Sequence, residues 1–461
     1  MRRPFARLMP VRPRLRQRLL PSLERRLRME RRFKRGIVLA TALAVAFVAG
    51  LVPWGRYIAE SSLMAVVQTG RQAVGMPSTR ADIDASWRRF RQLRIEQTRP
   101  RVARFYDEAS SAHQRLLRYA GMDPEHAVLR WGNYDWTMLL SSKVFEDDDE
   151  GRSFRFRPRT RSVWLRGLPL PSGVPMFFLV PDGPGLDEAI RGTSATVLER
   201  SRQVTNSWGL RGPEPDRDAP LRGIVLGDSY MQGMFLGEEQ TPPECLRRRL
   251  EGRLGIRASI LNTGVMGYSA EQYYHSLVAF ADRFAPDFVV VSVFPNDFGG
   301  DIPTVANRGV GDWREGKYWL EKTIAFCKAR GWPHLIVPVP YEAHLLARRF
   351  SGHYPGSLLN ILDDESTSIL DPFDAFASAH LAAEVAGLRG GRPVEGSPLY
   401  NNPIDDHFSA AGAELWAEVV GERILLLLDR AKADREAKEK ARARTQAARP
   451  AADPGGGPGR G

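Results

Sequence analysis

A serine sits at the tip of an apolar run in "GIVLGDSYMQG", residues 223–233. A turn would account for Gly227, Asp228 and Ser229 taken alone, because all three are common turn residues. A nucleophile is the alternative, and three other stretches bear on the choice. "NTGVMGYSAEQ" spans 262–272, "FPND" spans 294–297, and "NNPIDDHFSAAG" spans 401–412. Together they hold what acyl transfer through serine requires. A hydroxyl such as Ser229 is a weak nucleophile until a base takes its proton, and a histidine near neutrality, His407, suits that task. The imidazole needs a carboxylate to fix its tautomer and offset the charge it gains, and Asp405 and Asp406 adjoin it. The tetrahedral intermediate needs donors aimed at its oxyanion. The Ser229 N–H, the Gly267 N–H and the Asn296 side-chain amide are the candidates, and a glycine at 267 lets the backbone approach a substrate without a Cβ in the way.

These residues need a scaffold that brings them together, and from about 220 the sequence describes one. Short, nearly continuous apolar runs at 223–227, 258–264, 287–294, 334–340 and 368–373 alternate with helical runs at 241–253, 270–284, 316–330 and 376–387. A final helix fits "SAAGAELWAEVVGERILLLLDRA". That alternation predicts a parallel sheet covered by helices on both faces. Ligands of such sheets bind at the carboxyl ends of the strands. Ser229, Gly267 and Asn296 each follow a strand, so all three loops fall along one edge. Asp405 and His407 precede the last helix, where Ser409 could also serve simply as an N-cap.

The joint order of Ser, Gly, Asn and Asp-His resembles the SGNH, or GDSL, hydrolase family over roughly 205–428. "GDS" at 227–229 is similar to its first block, "NTGVMGYSAEQ" to its second, "PND" at 295–297 to its third and "DDHFSAAG" to its fifth. "TNSWGLRGPE" at 205–214 resembles the lead-in of bacterial members that carry extra N-terminal structure. The resemblance implies a flavodoxin-like, three-layer α/β fold. It also implies Ser229 as nucleophile, His407 as base, Gly267 and Asn296 beside the Ser229 N–H in the oxyanion hole, and an acyl-bearing polysaccharide or lipid as substrate class. Two positions depart from the family pattern. Phe294 stands where G-x-N-D has glycine, and Ile404 stands where D-x-x-H has aspartate. Asp405 fits the D-x-H form of cell-envelope members, including enzymes similar to those that acetylate alginate. It is favoured over Asp406 because side chains of adjacent residues diverge. The chemistry calls for no metal and no organic cofactor. A catalytically inactive scaffold or glycan-binding protein of the same fold is the alternative.

The chain has 461 residues, 43% of them apolar, which is ample for a core. Its net charge of +12 invites a nucleic-acid reading, but residues 1–35 hold fourteen Lys/Arg against two Glu, so the whole excess equals the charge of that arm. A basic stripe on the folded body would be needed for nucleic acid. Residues 36–55, "GIVLATALAVAFVAGLVPWG", carry no charge, and about 20 such residues span a bilayer. With the basic arm in the cytoplasm, the rest would lie outside, in the periplasm of an inner-membrane, single-pass protein. A cleaved signal peptide is the closest rival reading. Between anchor and sheet, 56–215 reads as an addition, helical and polar to about 125 and then rich in short strands and loops. The acid run from Glu146 to Glu150 reads as a solvated loop, with a calcium site as the alternative. Cys245 and Cys327 are read as buried thiols in helices, with a disulfide as the alternative. The catalytic domain is set at 216–429, and 430–461 is a charged tail that begins helical and ends in disorder. Envelope protein partners would fit such ends.

Overall fold

The computed structural model describes residues 99–131, 137–148, 151–169, 175–298, 313–346, 368–390, 396–401 and 405–447, together with Glu96. The basic arm, the uncharged run 36–55 and Ile404 lie outside the described residues.

The N-terminal addition is helical over 99–108 and again in α1 (Ser111–Ala120). It then forms short antiparallel pairs. β1 (Val128–Trp131) pairs with β2 (Thr137–Leu140), and β3 (Phe145–Asp148) with β4 (Ser153–Phe156). β5 (Arg161–Pro169) is flanked by β6 (Pro175–Pro181) and β7 (Thr196–Val197), and also pairs with β8 (Gln203–Val204). A short helix, α2 (Leu186–Ile190), lies between β6 and β7.

The acid run is therefore not a solvated loop where it is described: Glu146 to Asp148 belong to β3. Two of its carboxylates, Glu146 and Asp148, meet arginines of β4 and its flanks. Asp148 receives two hydrogen bonds from the buried Arg152 guanidinium, at 3.0 and 2.8 Å. Glu146 takes Arg155 at 2.9 Å and Arg157 at 3.1 Å. Cross-strand opposite charges let a sheet hold what looks like a hydrophilic loop in one dimension.

The larger sheet is parallel throughout. Its strands are β9 (Leu221–Leu226), β10 (Ala258–Asn262), β11 (Phe288–Val293), β12 (His334–Pro338) and β13 (Ser368–Ile369). They lie in the order β10-β9-β11-β12-β13. Taken in chain order this is 2-1-3-4-5, the doubly wound flavodoxin-like arrangement, whose switch point lies beside the first strand. Alternate side chains enter two cores. Ile224, Leu226, Leu261, Val289 and Val291 face one way, toward α5 (Ala270–Phe284) and α6 (Trp313–Arg330). Val225, Ile260, Phe288 and Val290 face the other, toward α4 (Pro242–Leu254) and α9 (Ala410–Ala447). Two further helices, α7 (Glu342–Leu346) and α8 (Phe373–Arg389), follow β12 and β13.

The addition does not stand apart from this sheet. Phe145, Phe154, Phe156, Trp164 and Leu179 belong to the same core as Ile224, Tyr268 and Phe280. Trp208 stacks on Phe280 at 5.9 Å, and Trp164 meets Phe235 edge-on at 5.3 Å.

On α9, Ala413, Trp416, Ala417, Val420 and Ile424 are buried at helical spacing and pack with Cys245, Leu246 and Leu250 of α4. Past Asp429 the helix continues to Ala447, and its residues are exposed almost throughout 429–441. The charged run from Arg430, which reads as helical in the sequence, thus continues α9. Ala, Glu, Lys and Arg are strong helix formers, and no Gly or Pro interrupts them before Pro450. Cys245 and Cys327 are buried, free thiols, each pushed up to about 12 by burial.

Candidate active site

The register of the sheet makes the strand ends level. Asn262 lies opposite Val225, and Leu226 opposite Val291. β9 then breaks into a single helical turn, α3 (Ser229–Gln232). Asp228 caps it, its Oδ1 accepting the Tyr230 N–H at 3.0 Å. Ser229 is the first residue of that turn, so its N–H is among the donors a helix start leaves unused by its own backbone.

The loop after β10 lies directly on this turn. A Cβ on Gly264 would sit 2.2 Å from the Gln232 nitrogen and 2.9 Å from the Asp228 oxygen, so only glycine permits the contact. Gln232 then reaches into the loop, and its Oε1 accepts the Met266 N–H at 2.7 Å. Gly267 follows with φ of 74°, a left-handed backbone that glycine adopts without strain. Next in line, Tyr268 is buried and donates its hydroxyl to the Phe154 carbonyl of β4 at 2.5 Å. The addition therefore supports the Gly267 loop from behind.

After β11 the chain forms a 3-10 turn, Pro295–Phe298. Asp297 closes it by accepting the Phe294 N–H at 2.6 Å. Burial, and then the nearby Asp228 charge, push Asp297 well above the usual carboxylate range. Asn296 lies in this turn, at the same edge of the sheet as Ser229 and Gly267; its side chain is outside the described set.

The fourth stretch arrives from before α9. Asn401 fastens it, donating its backbone N–H to the His407 carbonyl at 2.8 Å and its side-chain amide to the Phe408 carbonyl at 2.7 Å. Ser409 Oγ accepts the Gly412 N–H at 3.3 Å and so caps α9. Capping and site geometry coexist in one segment. His407 Nε2 lies 2.7 Å from Ser229 Oγ, and His407 Nδ1 lies 2.5 Å from Asp405 Oδ1. Asp406 Oδ1 is 3.9 Å from the same Nδ1, beyond hydrogen-bonding distance, and its side chain is 43% exposed.

The electrostatics follow from this packing. Burial lowers the basicity of His407, but the hydrogen bond and charge of Asp405 outweigh it, with Asp406 and Asp228 adding. The imidazole is held above its ordinary value. Burial opposes ionisation of Asp405, but the His407 hydrogen bond and charge win and keep it well below the carboxylate range. Burial, then its contact with Asp405, pushes Asp406 up to about 6. The two acids thus differ in kind: one is a fixed anion on the imidazole, the other a group that titrates beside it.

Such a line of hydroxyl, imidazole and carboxylate is what moves a proton off serine. Solved structures similar to this chain include a GDSL-like lipase from Bacteroides thetaiotaomicron, at 13% identity and TM-score 0.28, covering 44% of this chain and 87% of that one. The acetyl xylan esterase AlAXEase matches at 16% identity and TM-score 0.34, with 44% and 100% covered. A lipase/acylhydrolase from Enterococcus faecalis matches at 15% and 0.32, with 44% and 95% covered. No family model and no curated protein matches. The chain resembles the SGNH, or GDSL, hydrolases. The chemistry rests on the geometry of Ser229, His407 and Asp405.

Against the SGNH pattern, the structure brings Ser229 and Asp405 to the two ring nitrogens of His407. It sets Gly267 and Asn296 on the neighbouring loops and leaves Asp406 to one side. Other residues in the site had no assigned part in the sequence reading. Arg211, in the lead-in segment, has a fully buried side chain. Its guanidinium donates to the carbonyls of Gln232 (2.9 Å), Gly233 (2.7 Å) and Leu236 (2.6 Å), where α3 ends. Phe235, with φ of 66°, is a bulky residue in the left-handed region; its ring lies 6.0 Å from that of His407 and 4.6 Å from that of Phe177. Strain of this kind is found at functional sites. The run "GLRGPE" gives one signal for Arg211, a charge set within a segment of buried-type residues, but nothing in it names the carbonyls it serves.

Proposed function

We propose that the protein is a serine-dependent enzyme of carboxylic esters, working through an acyl–serine intermediate. The observation that carries this reading is the pair of contacts on one imidazole, Ser229 Oγ at Nε2 and Asp405 Oδ1 at Nδ1. Ser229 Oγ attacks the ester carbonyl while its proton passes to Nε2. Asp405 holds the Nδ1–H and offsets the imidazolium charge. The oxyanion is received by the N–H groups of Ser229 and Gly267 and by the Asn296 amide, a set of donors whose individual loss typically costs about 10² to 10³ in rate. The C–O bond then breaks, and the departing alkoxide takes the proton from Nε2. Water resolves the acyl–serine in a hydrolase; a sugar hydroxyl does so in an O-acyltransferase, and both share this first half-reaction.

The finer reading rests on the sequence. The uncharged run 36–55 behind a basic arm supports a bilayer anchor with the site on the extracytoplasmic side. An acyl ester of an envelope polysaccharide or lipid is the substrate class that such a tether and the motif resemblance favour.

A panel of short- and long-chain model esters, with and without a glycan acceptor, tests the reading. Wild type should turn over members of the panel, and Ser229→Ala and His407→Ala should not. Equal turnover by all three proteins would refute it. Detergent-free membrane fractions washed with alkaline carbonate should retain the full chain; release into the supernatant would remove the anchor.

A further inference from the structure

We propose that Tyr230, the residue after the nucleophile, is a positioning residue that fixes the orientation of His407 and stabilises the imidazolium it becomes. The inference rests on the serine-ester reading above and deepens it.

The geometry is specific to a tyrosine. Its hydroxyl donates to the Asp406 carbonyl at 2.9 Å. That carbonyl belongs to the peptide bond joining Asp406 to His407, so the contact pins the peptide from which the imidazole departs. The Tyr230 ring lies 4.6 Å from the imidazole, at 31° between planes. Phe294 backs it at 4.7 Å, and Phe408 meets it edge-on at 5.0 Å. The tyrosine is buried and has no room to swing away.

Ser229 and Tyr230 are consecutive residues of one helical turn, so the turn holds the imidazole at two places. Ser229 Oγ meets its Nε2 edge, and the Tyr230 ring covers one face. A ring face against an imidazolium is a favourable electrostatic contact, and more so away from water. Burial, and then the charges of Asp406, Tyr400, Asp228 and Asp405, push the phenol well above its usual range, so it remains a donor. A leucine could fill similar space and a phenylalanine could stack, but neither could hold the carbonyl.

The groups that set the charge on His407 are Asp405 and Asp406 from its own loop and Asp228 from the nucleophile turn, with Tyr230 on its face. Replacing Tyr230 leaves the three carboxylates in place, so a change in His407 basicity would report the ring itself.

The test uses the full-length protein with Tyr230→Phe and Tyr230→Leu. Two quantities are followed against pH: the rate of Ser229 labelling by a fluorophosphonate, and the titration of the His407 imidazole by NMR. Tyr230→Phe should slow labelling about five- to tenfold, the range for one lost hydrogen bond, with the His407 midpoint in place. Tyr230→Leu should slow it further and lower the midpoint by about half to one pH unit, as the ring contact is lost. A Tyr230→Phe protein that labels at the wild-type rate, or a Tyr230→Leu protein with an unmoved midpoint, overturns the proposal. If wild type itself resists the probe, the esterase reading fails separately. The NMR midpoint of Tyr230→Leu then decides the inference alone: a fall supports it and an unmoved value overturns it.

Discussion

Replacing Arg211 by methionine is the most informative structural perturbation of the nucleophile turn. Methionine keeps the unbranched stem out to about the Nε position and removes all of the donors. The carbonyls of Gln232, Gly233 and Leu236 would lose the guanidinium, Gly233 keeping the Leu236 N–H, and Glu238 would lose an ion pair at 3.3 Å. Hydrogen bonds from a charged donor contribute about 1.5 kcal/mol or more each, so the three together amount to roughly 4–6 kcal/mol. Against this, burying a guanidinium costs several kcal/mol that methionine does not incur, and the net loss comes to about 2–4 kcal/mol. For a body of this size each kcal/mol lowers the melting temperature by about 2–4 °C, so a fall of roughly 5–15 °C is expected. Arg211→Lys should recover little of it, since one ammonium cannot reproduce a planar fork. The assay is thermal unfolding followed by circular dichroism, paired with fluorophosphonate labelling at a temperature where both proteins are folded. Labelling should slow by about tenfold, because α3 loses the contacts that close its end. An Arg211→Met protein that melts within about 2 °C of wild type and labels at an unchanged rate would show that Arg211 does not hold the turn.

Further outcomes follow from the same contacts. His407 must be neutral to accept the serine proton, and its basicity is raised, so kcat/KM should climb as pH rises through a midpoint above 6.5. Asp406→Asn removes one of the negative charges that raise it, so this limb should move to lower pH while the plateau stays within a few-fold; a limb that moves up or stays put would contradict the electrostatic reading. Asp405→Asn should lower kcat by about 10³ to 10⁴, since the amide cannot both fix the Nδ1–H tautomer and offset the charge; a loss of less than tenfold would place the working carboxylate elsewhere. Tyr268→Phe removes the bond to the Phe154 carbonyl and should lower kcat by about five- to tenfold with KM little changed, because the Gly267 loop loses its support; a change confined to KM would contradict that role.

Much of this architecture was legible because it is local. Ile224-Val225-Leu226 and Phe288-Val289-Val290-Val291 read as buried strands since each has both faces covered, and the two cores claim alternate residues of each run. Once the strands are parallel, Ser229, Gly267 and Asn296 reach one edge with no further information. The preference for Asp405 over Asp406 also has a local basis: adjacent side chains point apart, and only Asp405 meets the ring at 2.5 Å. What escaped is what depends on which residues pair. Glu146 and Asp148 look like loop residues until Arg155 of β4 and the flanking Arg152 and Arg157 close on them. Arg211 looks like a surface charge until the carbonyls at the end of α3 close around it. Tyr230 looks like a core aromatic until the peptide of Asp406 arrives from 176 residues away. The exposed end of α9 is the reverse case: the charged run from Arg430 reads as helical on intrinsic propensity alone, with no apolar stripe to pack.

The most direct measurement is to treat the full-length protein with a fluorophosphonate at neutral pH and map the adduct by peptide mass spectrometry. A single phosphonyl group on Ser229, absent from His407→Ala and from heat-unfolded protein, is the expected result. An unlabelled Ser229 in folded wild type, or equal labelling after His407→Ala, would contradict the claim that this imidazole activates this hydroxyl.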